Sequence, residues 1–116
     1  MGYFRTDGKW AETDPVNLTP ATNPFSADTT SPVVELGDRA RVALTLAITA
    51  FAPTSLDVTV QGSRDGANDW YTLGTFTQAT GTGTQRKVFP AERFVRANYN
   101  HEGSGAITLT LEGEAA

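Results

Sequence analysis

The sequence feature that most constrains this chain is the strict alternation in RVALTLAITAF, which occupies residues 41–51. Every second side chain from Val42 to Ile48 is aliphatic, and the side chains between them are mostly alanine and threonine. A period of two is that of a β-strand, because successive side chains of a strand point to opposite faces. The second face is small and barely charged, so it is a candidate for contact with another surface. We therefore expect a long strand with one buried face.

The same period recurs in LDVTVQ, ERFVRANYN and AITLTLEGEA, with turn-forming residues between these segments. In WYTLGTFT the apolar Trp70 and Leu73 are three positions apart, which interrupts the alternation and predicts a β-bulge near Gly74. No stretch indicates a helix. The pattern predicts an all-β fold, an antiparallel β-sandwich of the jelly-roll or immunoglobulin-like kind, with about seven to eight strands.

Residues 1–31 differ from the rest of the chain, because they hold three of the six prolines and show no regular period. They nevertheless carry isolated apolar side chains, and a disordered tail is usually poor in aromatic residues. We interpret them as an extended N-terminal arm that lies either on its own domain or, as we prefer, on a neighbouring subunit. Residues 32–116 then form the β-sandwich domain. The predicted anchors of the arm are Tyr3, Phe4, Trp10 and Phe25.

The stretch SRDGAND, residues 63–69, suits either a hairpin turn or an acidic loop that binds a metal. Asp65-Gly66 is a strong hairpin signal, because glycine accepts the positive φ that such turns need. The oxygen-bearing residues of the stretch lack the spacing of a calcium-binding loop. We therefore favour the turn. We expect Trp70, the next residue, in the core or at the sandwich edge rather than as a platform for a sugar ring.

Residues suited to catalysis are sparse. His101 is the single histidine and there is no cysteine, so neither a catalytic triad nor a zinc site is indicated, and we place His101 in a solvated loop. The stretch GTGTQRK lacks the spacing of a phosphate-binding loop and leads into a strand rather than a helix. We predict that the protein is not an enzyme and that it uses no cofactor and no metal.

The net charge of −4 argues against duplex nucleic acid as a partner, because phosphate binding needs clustered cations. No apolar stretch is long enough to cross a membrane and the first residues lack an apolar signal core, so we expect a soluble, unsecreted chain. The one basic concentration comprises Arg86, Lys87, Arg93 and Arg96. These cations either face an acidic partner surface or balance acidic side chains across the sheet, namely Asp57, Glu92 and Glu112.

Four motifs carry a resemblance to a known family: V-x-V-Q-x-S-x-D-G from Val58, W-x-x-L-G-x-F from Trp70, G-x-G-T-Q-R-K-V-F from Gly81 and R-F-V-R-A from Arg93. With the alternating threonines and the final G-E-A, they resemble small structural proteins of tailed bacteriophages, particularly phages of actinobacteria. Over roughly residues 33 to 115, the chain resembles a capsid decoration protein, that is, a head-stabilising minor capsid protein.

This resemblance implies a virion protein, made in the cytoplasm of the host bacterium, that binds the major capsid protein on the outside of the shell and stabilises it. It also implies a homo-oligomer, with a trimer favoured, because such proteins commonly sit at local three-fold axes. Many copies acting together compound weak contacts. The aromatic anchors and the basic residues named above are the side chains that we expect to meet the capsid.

Two alternatives remain open from the sequence. A carbohydrate-binding or adhesion module on the virion surface would present exposed aromatic side chains, for which Trp70 and Tyr71 are the best candidates. A tail or head–tail connector component would assemble into rings rather than occupy sites on the shell.

Overall fold

The computed structural model describes residues 14–116, in which all regular structure is β-strand. The strands are β1 (Asp14–Asn17), β2 (Thr29–Thr30), β3 (Val34–Glu35), β4 (Arg41–Phe51), β5 (Ser55–Ser63), β6 (Tyr71–Thr75), β7 (Gly83–Pro90), β8 (Phe94–Glu102) and β9 (Ile107–Ala115). In this part of the chain, no helix is long and apolar enough to span a lipid bilayer.

The strands form two antiparallel sheets that enclose one core. One sheet has four strands in the order β1-β9-β4-β7, and the other has five, in the order β2-β8-β5-β6 with β3 also paired to β8. β5 and β6 form a hairpin, whereas most other connections pass from one sheet to the other. The predicted all-β antiparallel sandwich is therefore confirmed.

β4 lies inside the four-stranded sheet, between β9 and β7. Its side chains from Val42 to Ile48 alternate between buried and half-buried, as the sequence pattern predicts. The buried ones belong to one hydrophobic cluster with the inward side chains of β5, β8 and β9. Each large aliphatic side chain removed from water in this way contributes about 1.5–3 kcal/mol. The sandwich is therefore held together by the contact between the inner faces of its two sheets.

The predicted bulge is present in the pairing of β5 with β6. Val60 lies opposite Gly74 and Gln61 lies opposite Thr72, which leaves Leu73 as the extra residue. A Cβ added to Gly74 would lie 2.6 Å from Cδ1 of Phe89, so the glycine provides the space that this ring occupies. The bulge and the glycine together let a large aromatic ring fill the core beneath a short strand.

Residues 14–36 close one open side of the sandwich. The chain pairs with β9 from Asp14 onwards and stays beside it as far as Phe25, whose backbone bonds to that of Ile107. It then crosses to the other sheet, where β2 and β3 pair with β8. This segment thus covers an edge of each sheet, and edges left open are templates for unwanted pairing.

Where this segment is not a strand, its polar side chains make the hydrogen bonds to the sheet edges that a paired strand would otherwise make. The Asn23 amide donates to the carbonyl of Leu109 at 2.8 Å and accepts from the backbone N–H of the same residue at 3.3 Å. On the other sheet, Ser31 Oγ accepts from the backbone N–H of Ala97 at 2.8 Å. Backbone groups at these edges are thereby satisfied, as buried polar groups must be.

The side chains of this segment also belong to the core. Val16, Leu18 and Phe25 are at most 5 % exposed, and the hydroxyl of the buried Tyr99 donates to the Leu18 carbonyl at 2.6 Å. From residue 14 onwards the predicted arm therefore lies on its own domain rather than on a neighbour. Phe25, predicted as a capsid anchor, packs against the Tyr99 ring with centroids 5.5 Å apart and serves the core instead. The other predicted anchors, Tyr3, Phe4 and Trp10, lie outside the described residues.

Replacing Leu18 with alanine tests whether this segment is part of the folding unit. Leu18 is fully buried, so we expect a loss of about 2–5 kcal/mol in the free energy of unfolding, measured by urea denaturation. Val33→Ala is the matched control in the same segment, because Val33 is 45 % exposed and its truncation should cost less than about 0.5 kcal/mol. Equal, small losses for both variants would show that the segment is only loosely attached.

Candidate binding surfaces

The loop of residues 64–70, which joins β5 to β6, is built as a turn. The Asp65 carboxylate accepts hydrogen bonds from the backbone N–H groups of Ala67 and Asn68, at 3.0 and 2.9 Å. The fully buried Ser63 donates its hydroxyl to the same carboxylate at 3.0 Å. Gly66 has a φ of +75°, the conformation for which the sequence pattern requires glycine. The Oδ1 atom of Asp65 therefore serves the turn.

These hydrogen bonds stabilise the charged form of Asp65. The backbone N–H groups of Asn68 and Ala67 and the Ser63 hydroxyl lower the pKa of Asp65 from 3.8 to about 2. Among the described residues, no group of three or more acidic or histidine side chains is arranged to hold a metal ion. The loop is a structural turn whose carboxylate is charged over the whole physiological pH range.

Trp70 lies at the end of this loop and stacks on an arginine of β8. The Arg96 guanidinium carbon is 4.2 Å from the centroid of the Trp70 ring, and Arg96 Nε donates to the Gln61 side chain at 2.9 Å. Trp70 is half-buried. It therefore does not lie in the core, which is one of the two positions that the sequence pattern predicts. The stack fixes an aromatic ring and a cation on the outer face of the five-stranded sheet.

The rest of that outer face is polar and holds few charges. One row across the sheet consists of Thr30, Asn98, Thr59 and Thr75, which are in register on four neighbouring strands. In the next row Asp57 lies opposite Asn100, and both of its carboxylate oxygens accept from Gln78 at 3.2 Å. We call this the polar face. Its amide and hydroxyl groups both donate and accept hydrogen bonds, and its carboxylate accepts them.

The outer face of the four-stranded sheet has a different composition, and we call it the small-residue face. Its centre is formed by Ala43, Thr45 and Ala47 of β4, all of them half-buried. Glu112 and Glu114 of β9 flank the centre on one side, and Arg86 and Val88 of β7 flank it on the other. A shallow depression of about 300 Å³ lies over Ala43.

The four basic residues predicted as one group are not brought together. Arg86 lies on the small-residue face, where it donates to Thr45 Oγ1 at 3.0 Å, whereas Arg96 lies on the polar face. Lys87 donates to the carbonyl of Thr75 at 2.8 Å and so joins β7 to β6. Arg93 is 3.7 Å from the Glu35 carboxylate in an exposed ion pair. In the part of the chain that the structure describes, none of them pairs with Asp57, Glu92 or Glu112.

Arginines concentrate instead at one end of the sandwich. This end comprises the start of β1 at Asp14, the turn of residues 36–40, the loop of residues 64–70 and the turn of residues 91–93, and we call it the arm end. Its arginines are Arg39, Arg64 and Arg93, and Arg41 begins β4 next to it. Acidic side chains lie between them, and Arg39 pairs with Asp14 at 2.7 Å. The loops at the opposite end, residues 52–54, 76–82 and 103–106, contain no charged side chain.

Two further polar contacts were not foreseen from the sequence. The Tyr71 hydroxyl donates to the Glu92 carboxylate, a hydrogen bond that raises the pKa of Tyr71 and lowers that of Glu92. His101, predicted in a solvated loop, lies near the end of β8, and its Nε2 is 2.7 Å from the carbonyl of Gly105. The ring also meets Phe25 edge-on, so His101 braces the β8–β9 turn. No local sequence pattern indicates that Glu92 approaches Tyr71 or that the Gly105 carbonyl approaches His101.

No protein-family model matches the sequence, and no curated protein matches it either. Solved structures do match. One is described as "CBM4 structure and function", with a TM-score of 0.51 and 10 % sequence identity. The aligned region covers 80 % of this chain and 66 % of that one. Another is the K1 cleaved adhesin domain of Lys-gingipain from Porphyromonas gingivalis W83, with the same TM-score and sequence identity. The aligned region covers 99 % of this chain and 78 % of that one.

At this identity the likeness concerns the fold alone. Both solved structures share the β-sandwich architecture with this chain, which agrees with the two sheets described above. A fold does not by itself fix a function, so the two outer faces and the arm end are the surfaces on which a function can be built.

The Asp65 turn makes stability depend on acidity. A carboxyl whose pKa is lowered in the folded state adds stability above its unfolded pKa of 3.8, and this contribution disappears as the pH falls towards 2. We expect Asp65→Ala to lower the melting temperature at pH 7, with the difference from the unchanged chain shrinking between pH 4 and pH 2. Calorimetry over this pH range measures both effects.

Asp69→Ala is the matched control, because Asp69 lies in the same loop while the backbone N–H groups of the turn donate to Asp65. Asp69 has a φ of +56°, so Asp69→Asn is the better tolerated second control. A difference between Asp65→Ala and the unchanged chain that persists undiminished at pH 2 would contradict the assignment.

Proposed function

We propose that this chain is a structural protein of a phage virion, a capsid decoration protein that binds the outer surface of the major capsid shell and stabilises it. The motifs that carry the resemblance to such proteins lie on the frame of the sandwich, since Val58 and Val60 are core residues and Ser63 to Gly66 form the β5–β6 turn. A cement protein needs such a rigid frame and surfaces that meet neighbours, and it needs no reaction centre.

The observation that carries the proposal is the composition of the arm end. The N-terminal segment joins the sandwich there, at Asp14, next to the arginine-bearing turns. Arginine and aromatic side chains are the residue types enriched in the energetically dominant parts of protein interfaces. The arginines of these turns are therefore the described side chains that we expect to meet a capsid surface.

Co-sedimentation with shells that lack the protein tests this function. The unchanged chain should bind saturably, and electron microscopy of the shells should show it at symmetric outer sites. Removal of residues 1–13, which leaves the first core strand intact, should weaken binding by about 2 kcal/mol or more, the usual cost of losing an aromatic hot spot. Rings in solution, or density only at the portal or tail, would move the protein to the connector class.

Charge-reversal variants test whether the arm end is the surface that binds the shell. Arg64→Glu together with Arg93→Glu alters two exposed side chains of the arm end and should weaken shell binding. Lys87→Glu makes one change of the same kind away from that end, at a cation that the sequence analysis also expects to meet the capsid. Because the double variant changes the net charge twice as much, a loss only about twice that of Lys87→Glu would mean that net charge alone matters, and unchanged binding of the double variant would exclude the arm end.

A second candidate function is glycan recognition by the polar face. The specific observation that favours it is the Trp70–Arg96 stack beside rows of amide and hydroxyl side chains. Sugar hydroxyls are recognised by planar polar groups that donate and accept at once, and sugar rings pack on aromatic faces. The likeness of the fold to a carbohydrate-binding module and an adhesin domain is consistent with this candidate.

Titration of the chain with soluble bacterial cell-wall polysaccharides separates the two functions. If the polar face binds glycans, Trp70→Ala and Asn98→Ala should each abolish the heat of binding, because they remove a stacking surface and a hydrogen-bonding group. Val88→Ala, on the other sheet, is the control and should change nothing. Absence of saturable binding to every polysaccharide tested would remove this candidate and leave the capsid assignment untouched.

A further inference from the structure

We infer that the small-residue face is a self-complementary surface on which a second copy of this chain docks, around a two-fold axis that runs along β4. The inference does not rest on the proposed capsid function, because it concerns a different surface and only this chain. It commits to a homodimer contact, whereas the resemblance described above favours a trimer.

The first argument is the shape of the face. Alanine and threonine at its centre keep side chains short, so the backbone of another sheet can approach closely. Val88 beside this centre is 57 % exposed, the largest exposed fraction among the large hydrophobic side chains of the described residues. Covering an exposed valine next to a row of small side chains is favourable, because it removes apolar surface from water.

The second argument is charge complementarity. Glu112 lies opposite Thr45 on β9, and Arg86 lies opposite Thr45 on β7, so the three side chains form one row with the acid and the base on opposite sides. Both charged residues are exposed. Within residues 14–116 neither of them forms an ion pair, since Arg86 donates to the Thr45 hydroxyl instead.

The symmetry follows from this row. Rotation by 180° about an axis parallel to β4, lying just above it, places β9 of one copy over β7 of the other. Glu112 of each copy then faces Arg86 of its partner, so the contact contains the same pair twice. This is the arrangement of an isologous interface, in which one patch meets itself.

The size of the face sets the expected strength. Because the axis places β9 over β7 and β4 over β4, three strands about 4.8 Å apart and seven residues of about 3.3 Å rise overlap, which is roughly 330 Å² on each copy. About 660 Å² in total is below the roughly 1,000 Å² of a stable specific interface and fits a weak, transient contact. The dimer should therefore be weak in solution and should form more completely where many copies are concentrated on one surface.

Sedimentation velocity of the full chain over a range of concentrations tests the inference. The unchanged chain should show a reversible monomer–dimer equilibrium. Arg86→Glu and Glu112→Arg should each weaken dimerisation at least about tenfold, because each places two like-charged pairs in the contact. The double variant, Arg86→Glu with Glu112→Arg, should restore the original dissociation constant, since it exchanges the two charges.

Lys87→Glu is the matched control, because it makes the same charge change at the next position of β7 while its side chain reaches β6 rather than this face. Melting temperatures establish that all variants are folded. A chain that stays monomeric at millimolar concentration, a trimer without dimers, or a double variant without rescue would each overturn the inference. Loss of shell binding by Arg86→Glu in a chain that never dimerises would overturn it too, and would assign this face to the capsid.

Discussion

The burial of the aliphatic side chains of β4 against the other sheet is the contact on which the rest of this structure depends. These side chains lie at the centre of the core, and the strand that carries them pairs on both sides. Because one face of β4 is committed to the core, its other face must point outwards. The small-residue face is therefore a direct consequence of where the core lies, and the polar face arises in the same way from β5 and β8.

A sandwich built on this contact still has two open sides, and polar side chains close both of them. On one side, the segment of residues 14–36 places Asn23 and Ser31 against backbone groups of β9 and β8. On the other, the Gln85 amide accepts from the backbone N–H of Thr77 at 3.0 Å and donates to its carbonyl at 2.8 Å, which joins β7 to the chain beyond β6.

The sequence predicts the parts of this fold that depend on period and on turn chemistry. Alternation identifies β4 and β8 as strands, and the break before Gly74 correctly indicates a bulge, because both effects are local along the chain. The hydrogen bond between Asn23 and Leu109 joins residues that are far apart along the chain, and no local sequence pattern predicts it. The same limit explains why the sequence pattern places Phe25 on a partner and groups four cations that are near one another along the chain. Arg86 and Arg96 lie on opposite outer faces because β7 and β8 belong to different sheets. The sheet that a strand joins depends on the whole fold.

The position of β9 between β1 and β4 has a consequence for how the chain acquires this structure. Among residues 14–116, β1 pairs only with β9, so the four-stranded sheet cannot be completed until residue 115 has left the ribosome. Most stabilising contacts join distant parts of the chain, and such topologies fold slowly because chain entropy is lost before those contacts form. During synthesis, the backbone edge of β4 that later receives β9 is unpaired, while the inner face of the same strand carries aliphatic side chains. Correct folding therefore depends on how quickly the last strand reaches that edge.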